Sequence, residues 1–440
     1  MPRFLVGATA DTWDFDAAYE AAKDGDIIEF TPHLTMNFTR EPFTEITKNI
    51  TIIGHVEGNT FLNTITGKIR VSNKAKVTFQ NLWMSVLENS NMFRITGESE
   101  VTFENCVLQS EFPANEHFLL FSEEKSKVNF KQLTTKLPDK HQLGMKFIHS
   151  TVSIQDSTIQ NRLWIRENSE LTFVRSKMEC SRPTSLWIED SKLSILSSQV
   201  SGTFEGGTQA VLNASKSEIM IEDSLIQGVG KDYYTIYLQE SCTGVFNNLN
   251  VDFMKLKSSH IRMVNGSVKY NLAIDGESTL YSQGRLRFLN KESQHIPISL
   301  STNALFVGDS VEVEKETSSI IRVKEGSCFV ANDFIHLNGD ATKLNYETDE
   351  TSQCNITQKH KVAPERNEKG EIIRTEDAQK AHHSNTDYYA QLQGLIGLKT
   401  VKEKVDKLIQ QAKYNQLQIE QGLPPEKMTM HAAFLGNPGT

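Results

Sequence analysis

The feature that most constrains this chain is a loose internal repeat. Short apolar-polar-apolar triplets, each followed by turn-forming residues, recur as Val77-Thr78-Phe79-Gln80-Asn81, Val101-Thr102-Phe103-Glu104-Asn105 and Val128-Asn129-Phe130-Lys131-Gln132. They continue as Val152-Ser153-Ile154-Gln155-Asp156, Leu171-Thr172-Phe173, Leu193-Ser194-Ile195 and Ile219-Met220-Ile221-Glu222-Asp223. Their first positions lie 24, 27, 24, 19, 22 and 26 residues apart. A period of about 24 residues marks a stack of small units, because 440 residues are too many for one ordinary globular core.

A second series lies between the triplets: Phe93-Arg94-Ile95, Phe118 to Phe121, Phe147-Ile148, Leu163-Trp164-Ile165, Leu186-Trp187-Ile188 and Ala210-Val211-Leu212. Each unit therefore holds two or three very short strands with alternating inward and outward side chains. Such a unit cannot bury its apolar face alone, but coils stacked on one another share a continuous core. A leucine-rich repeat would need a regular L-x-x-L-x-L frame followed by Asn, which is absent. The pattern predicts a mostly β, right-handed parallel β-helix over residues 1–340. Val77, Val101, Val128, Val152, Leu171, Leu193 and Ile219 are expected to point inward on one sheet. Asn81, Asn105, Asp156 and Asp223 suit left-handed turns. The pattern weakens but persists through Ile261-Arg262-Met263, Leu286-Arg287-Phe288, Leu305-Phe306-Val307 and Phe329-Val330.

The N-terminal stretch extends this reading. Trp13 to Ala22 has a helical pattern, Gly25 stands where a C-cap is wanted, and Asp26-Ile27-Ile28-Glu29-Phe30 begins a strand. With Ile50-Thr51-Ile52-Ile53-Gly54, this stretch resembles the opening of right-handed parallel β-helix proteins of the pectate-lyase-like superfamily. That resemblance covers residues 5 to 340, is one of pattern, and implies a short helix capping the open end of the first coil.

Composition places the chain among soluble folded proteins, with 38% hydrophobic and 23% charged residues. The net charge of -9 is spread without a basic block, which argues against a nucleic-acid partner. Cys106, Cys180, Cys242, Cys328 and Cys354 form no C-x-x-C pair and read as buried reduced thiols. The first residues lack a leader-type apolar region, and no apolar run reaches the ~20 residues of a membrane span. A cytoplasmic location without a membrane span is expected.

Residues 341–386 turn polar and read as a linker. Residues 387–440 carry the second chemical signal. Thr400-Val401-Lys402-Glu403 is a capping box opening a helix with Val401, Val405, Leu408 and Ala412 on one face. Gly422 ends that helix, Pro424-Pro425 prevents its continuation, and Met428 to Leu435 reads as a strand leading into Gly436-Asn437-Pro438-Gly439-Thr440. A strand followed by G-x-x-x-x-G-K-[ST] is a phosphate-binding loop, although Gly436 to Gly439 alone also fits an ordinary turn. Taken with Leu395-Ile396-Gly397-Leu398, Glu420-Gln421-Gly422-Leu423 and the His431/Phe434 strand, these residues resemble the start of the CbxX/CfqX, or stage V sporulation protein K-like, group of AAA+ ATPases.

The resemblance implies that Ile396 and Gly397 lie against adenine, and that Gly436, Asn437, Pro438, Gly439 and Thr440 wrap phosphates. It implies ATP and Mg²⁺ as cofactors of a longer, hexameric parent, with the remaining Walker, sensor and arginine-finger residues beyond Thr440. No tight cofactor binding is expected of these 440 residues.

The expected function is an ATP-driven remodelling protein whose β-helix recognises a protein partner or substrate. Trp164 and Trp187 alternate with core-type neighbours, so they are expected to face outward on successive coils and form part of the contact surface. The alternative is a carbohydrate-active β-helix enzyme, a polysaccharide lyase or hydrolase, using the acidic pairs Glu189-Asp190 and Glu222-Asp223 with Arg162, Arg166 and Arg175 nearby. For the ATPase segment the expectation is quantitative: the purified 440-residue chain should show no ATP turnover above background, because the loop's lysine and the magnesium-binding acid are missing. Phosphate release that disappears on changing Gly436 or Gly439 would overturn it.

Overall fold

The computed structural model describes residues 2–361 apart from the segments 39–42, 87–90, 111–117, 137–143, 181–183, 204–209, 230–233, 289–294, 315–319 and 338–345. The chain divides into two units, Met1–Ala363 and Pro364–Thr440. The second unit, including the expected phosphate loop, lies outside the described residues.

The first unit is a parallel β-solenoid of the right-handed type with about 13 turns. Each complete coil lays down one short strand on each of three faces. Sheet A carries the triplets, for example Lys76–Gln80, Glu100–Glu104 and Lys127–Lys131. Sheet B carries Trp83–Val86, Val107–Ser110 and their successors, and sheet C carries Phe93–Ile95, Leu120–Ser122 and theirs. The sequence repeat becomes register: Val77 pairs with Val101, Val101 with Val128, Val128 with Val152, Val152 with Leu171, Leu171 with Leu193, and Leu193 with Ile219. All seven are buried, as the alternation requires.

Inside the coils, like stacks on like. Phe79, Phe103 and Phe130 lie rung above rung with ring centroids 5.4 Å apart. That is close to the ~4.8 Å strand spacing, so the rings pack in offset-parallel fashion without distorting the backbone.

The corner from sheet A to sheet B turns on one residue in the left-handed region. Asn81, Asn105, Asp156 and Asp223 have φ of 58°, 49°, 50° and 47°. Gln132, Arg175 and Ser197 occupy the same position with φ of 52°, 44° and 48°, so stacking imposes the turn even where the side chain does not favour it. The next residue points inward and is often serine. Ser157, Ser176 and Ser198 each donate their backbone N–H to the hydroxyl one coil on, at 3.0, 3.0 and 3.1 Å. Each hydroxyl in turn donates to the carbonyl two residues before it, at 2.7 Å. A parallel ladder at the corner from sheet C to sheet A links Ser150, Ser169, Ser191 and Ser217. These hydroxyls supply partners for corner amides that the sheet ladders do not reach.

The N-terminal cap is the helix α1, Phe15–Ala21, shorter than the Trp13 to Ala22 pattern because Asp14 is its N-cap and Ala22 its C-cap. Phe15 and Ala18 are buried against the first coil, with Phe15 4.7 Å from Phe38. Gly25 does not cap the helix as expected. Lys48 from the next coil does, its Nζ donating to the carbonyls of Tyr19, Glu20 and Ala22 at 2.7, 3.0 and 3.0 Å.

From residue 243 the corners flatten, and Thr243–Lys257 runs through all three faces as one 15-residue strand. This is why the repeat fades there in the sequence. The solenoid also passes its expected end near residue 340: Tyr346–Thr348 and Gln353–Lys361 stack as further strands, the latter on Cys328–His336. Of the five thiols, Cys106, Cys180 and Cys242 are buried, whereas Cys328 and Cys354 are only half-buried. Burial pushes the Cys106 thiol up to about 12.

Replacing Ser176 by Ala leaves the buried Ser157 N–H without its acceptor and should lower stability by about 1–3 kcal/mol. Chemical denaturation of the isolated solenoid checks this; an unchanged midpoint would show that the serine ladder does not contribute.

Candidate functional site

Sheet C presents an outward column distinct from the rest of the surface. In register, one residue per coil, it reads Arg70, Arg94, Phe121, Lys146, Trp164, Trp187, and then Asn213, Tyr237 and Lys255. Each sits between two inward residues of its strand, as Trp164 does between the fully buried Leu163 and Ile165. Alternation alone therefore forces it outward. Trp164 and Trp187 are direct neighbours, Trp187 is 40% exposed and Trp164 half-buried.

The difference between the two indoles comes from one side. The ring of Phe118 meets Trp164 edge-on at 5.3 Å, and the Arg162 guanidinium lies 5.1 Å from the indole centre. The indole leans back over Gly144, where a Cβ would fall 2.0 Å from its Cζ3. Only glycine leaves room for it. Lys146 extends the cluster, its Nζ 5.6 Å and 5.8 Å from the rings of Phe118 and Phe121. Further along, Lys255 stands 5.2 Å and 5.6 Å from Tyr234 and Tyr237. Ring faces carry negative quadrupole potential, so Lys146 and Lys255 are attracted to these rings. Among the described residues neither Lys146 nor Lys255 pairs with an acid, whereas Arg94 is held by Glu123 at 2.8 Å and Arg166 by Glu189 at 2.7 Å.

The arrangement offers flat apolar surface next to ammonium groups that pair with no acid among the described residues, a combination suited to binding. Sequence reasoning found the two tryptophans but missed Phe118, Phe121, Lys146, Tyr237 and Lys255. Aligning each coil on its sheet C triplet would have revealed them, because they occupy or adjoin the Trp164 phase.

The residues of the carbohydrate-active alternative do not converge. Glu189-Asp190 closes a sheet C strand, whereas Glu222-Asp223 follows a sheet A strand one coil on. The full length of a sheet A strand separates these corners, about 16 Å. Glu189 is bound to Arg166. Arg175 grips Asp156 with two bonds of 2.8 and 2.9 Å and holds that carboxyl below the usual carboxylate range. Arg162 bonds the carbonyl of Thr184 at 3.1 Å. A shallow groove of about 560 Å³ runs along the corner from sheet A to sheet B past Asp156, Arg175 and Asp223, but the serine hydroxyls lining it are committed to the ladder. Among the described residues no group of three or more His, Cys, Asp or Glu is placed to hold a metal ion, and no helix is long and apolar enough to cross a membrane.

Ile396, Gly397, Gly436, Asn437, Pro438, Gly439 and Thr440 lie outside the described residues. Comparison of the chain with protein-family models, with curated proteins and with solved structures found no match.

Substituting Gly144 by Ala should push the Trp164 ring off the sheet while leaving the inward column intact. The expected result is greater quenching of tryptophan emission by acrylamide, with a lowered melting temperature because the same Cβ would fall 2.9 Å from the Arg162 carbonyl oxygen. Unchanged quenching would mean that the ring does not rest on Gly144.

Proposed function

We propose that the solenoid is a docking module that recognises a protein partner through the aromatic and cationic column of sheet C. The observation that carries this reading is the pair Trp164 and Trp187, outward on adjacent rungs and bordered by Lys146. Tryptophan with nearby cations dominates binding energy at protein interfaces, and a paired aromatic surface costs free energy while it stays wet. Such a column would take a segment that presents aromatic or aliphatic side chains beside carboxylates, with the lysines selecting for the acid.

The module would serve an ATP-driven remodelling machine. Support for this part is the resemblance of residues 392 to 440 to the opening of an AAA+ module, with Ile396 and Gly397 at the adenine and Gly436 to Thr440 at the phosphates. In the full-length parent, ATP and Mg²⁺ would power a hexameric ring, and the rigid solenoid would bring that ring to its target. A carbohydrate-active role draws less support, because retaining and inverting glycosidases both need two carboxylates within about 5–10 Å across one cleft, a juxtaposition that Glu189 and Glu222 do not make.

The test is capture. Immobilised chain is expected to retain a protein from its native lysate, and the W164S/W187S variant to lose it while keeping the same melting temperature. Equal capture by both would refute the surface. Cleavage of a polysaccharide by the isolated solenoid would refute the docking role itself.

A further inference from the structure

Sheet A changes character halfway along. Its outward central column begins with small polar residues in register, Thr51, Thr78, Thr102, Asn129, Ser153, Thr172 and Ser194. From the next coil it becomes Met220, Val245, Arg262, Tyr281, Val307 and Val330. Met220, Val245 and Tyr281 are 38%, 42% and 50% exposed. The charged flanking column, with Lys192 and Glu218 paired at 3.0 Å, gives way at the same place to Thr243, His260, Thr279 and Leu305. A flat patch that gains apolar and aromatic residues while losing charge has the composition of an interface core.

We propose that this half of sheet A joins two copies of the chain face to face, about a two-fold axis passing between Arg262 and Tyr281. The occupant follows from the order of the column. A two-fold at that point sets Met220 against Val330, Val245 against Val307, and Arg262 against Tyr281 of the second copy. The only cation in the column thus meets an aromatic ring, twice, and every other position meets an apolar one.

That axis runs along the strands, so each flanking column meets itself in reverse order, again without like charges: His260 faces Thr279, Thr243 faces Leu305, Glu218 faces Cys328, and Val264 faces Gln283. A cleft of about 370 Å³ over Gly244, bordered by Met220, Val245, Ile261, Arg262 and Tyr281, lies where Val307 of the second copy arrives. In projection the patch spans six rungs by five residues, about 450 Å². That is below the roughly 800 Å² per partner of a standard interface, so the association is a weak, concentration-dependent one. Sheet-on-sheet packing of this kind needs a second flat face, which another copy supplies. The Trp164/Trp187 column lies on sheet C and stays free, so this association does not depend on the docking role.

The experiment uses the full chain with Cys328→Ser, which removes the half-buried thiol on this face. Sedimentation over a range of protein concentrations is expected to show a monomer–dimer equilibrium. Val245→Glu, present twice per dimer, should weaken it by about a hundredfold at an unchanged melting temperature. Within one chain Val245 and Val307 are three rungs apart, so V245C/V307C can cross-link only between copies. Sheets packed face to face stand about 10 Å apart, too far for a direct disulfide, so a thiol cross-linker spanning about 5 Å between sulfurs should trap a covalent dimer from V245C/V307C and not from V245C alone. A monomer at every concentration, a dimer indifferent to Val245→Glu, or cross-linking by V245C alone would each overturn the proposal.

Discussion

Everything in the solenoid depends on one constraint: consecutive coils must keep the same register on three faces so that each strand pairs in parallel with those above and below it. A parallel ladder closes only if the corners repeat, and the corners are where backbone amides fall out of the sheets. The single left-handed residue at Asp156, Arg175 and Ser197, followed by the inward serines 157, 176 and 198, answers both needs at once. The left-handed turn redirects the chain within one residue, and the hydroxyl reaches the amide of the coil before it. That arginine and glutamine accept positive φ at this corner shows stacking energy outweighing local preference, a cost of about 1–2 kcal/mol per residue.

Register converts sequence into columns, and columns obey different rules inside and out. Inside, equal volumes stack, as Phe79, Phe103 and Phe130 do. Outside, identical charges would sit ~4.8 Å apart and repel. The flanking column of sheet A avoids this by alternation: Lys76 beside Glu100, Glu100 beside Lys127, and Glu170 beside Lys192 beside Glu218. Sheet C inserts a ring between cations at one place, Phe121 between Arg94 and Lys146, and where Arg70 and Arg94 are direct neighbours it gives each its own carboxylate, Glu45 and Glu123. Where a column departs from both solutions and becomes apolar, as from Met220 to Val330, folding alone does not account for it.

The inward columns were legible because burial enforces a strict alternation, and two apolar residues flanking one position suffice to place Trp164 and Trp187 on the outside. Coils of 19 to 27 residues did not obscure this, since the variation lies between strands. What stayed hidden depends on which residues of distant coils share a rung. The serine ladders involve a residue type that reads as ordinary turn material. The cap supplied by Lys48 comes from a different coil, and the seat of Trp164 on Gly144 needs the ring's lean as well as its register. The strands beyond residue 340 were missed because Tyr346, Cys354 and Ile356 only partly close the last coil, and their alternation is diluted by polar neighbours.

The two unusual surfaces lie on different sheets, and this bears on how the molecule can work. A solenoid transmits little conformational change along its axis, because each coil contacts only its neighbours and each rung is held by parallel ladders. Binding on sheet C therefore should not alter sheet A through the core, and self-association on sheet A would hold two sheet C columns at a fixed separation. Two weak aromatic sites held rigidly apart gain from each other only when the ligand repeats at a matching distance, and otherwise act singly. If both proposals hold, the arrangement would favour an extended or repeating target over a small one, and that selectivity would come from coil count rather than from the chemistry of any single residue.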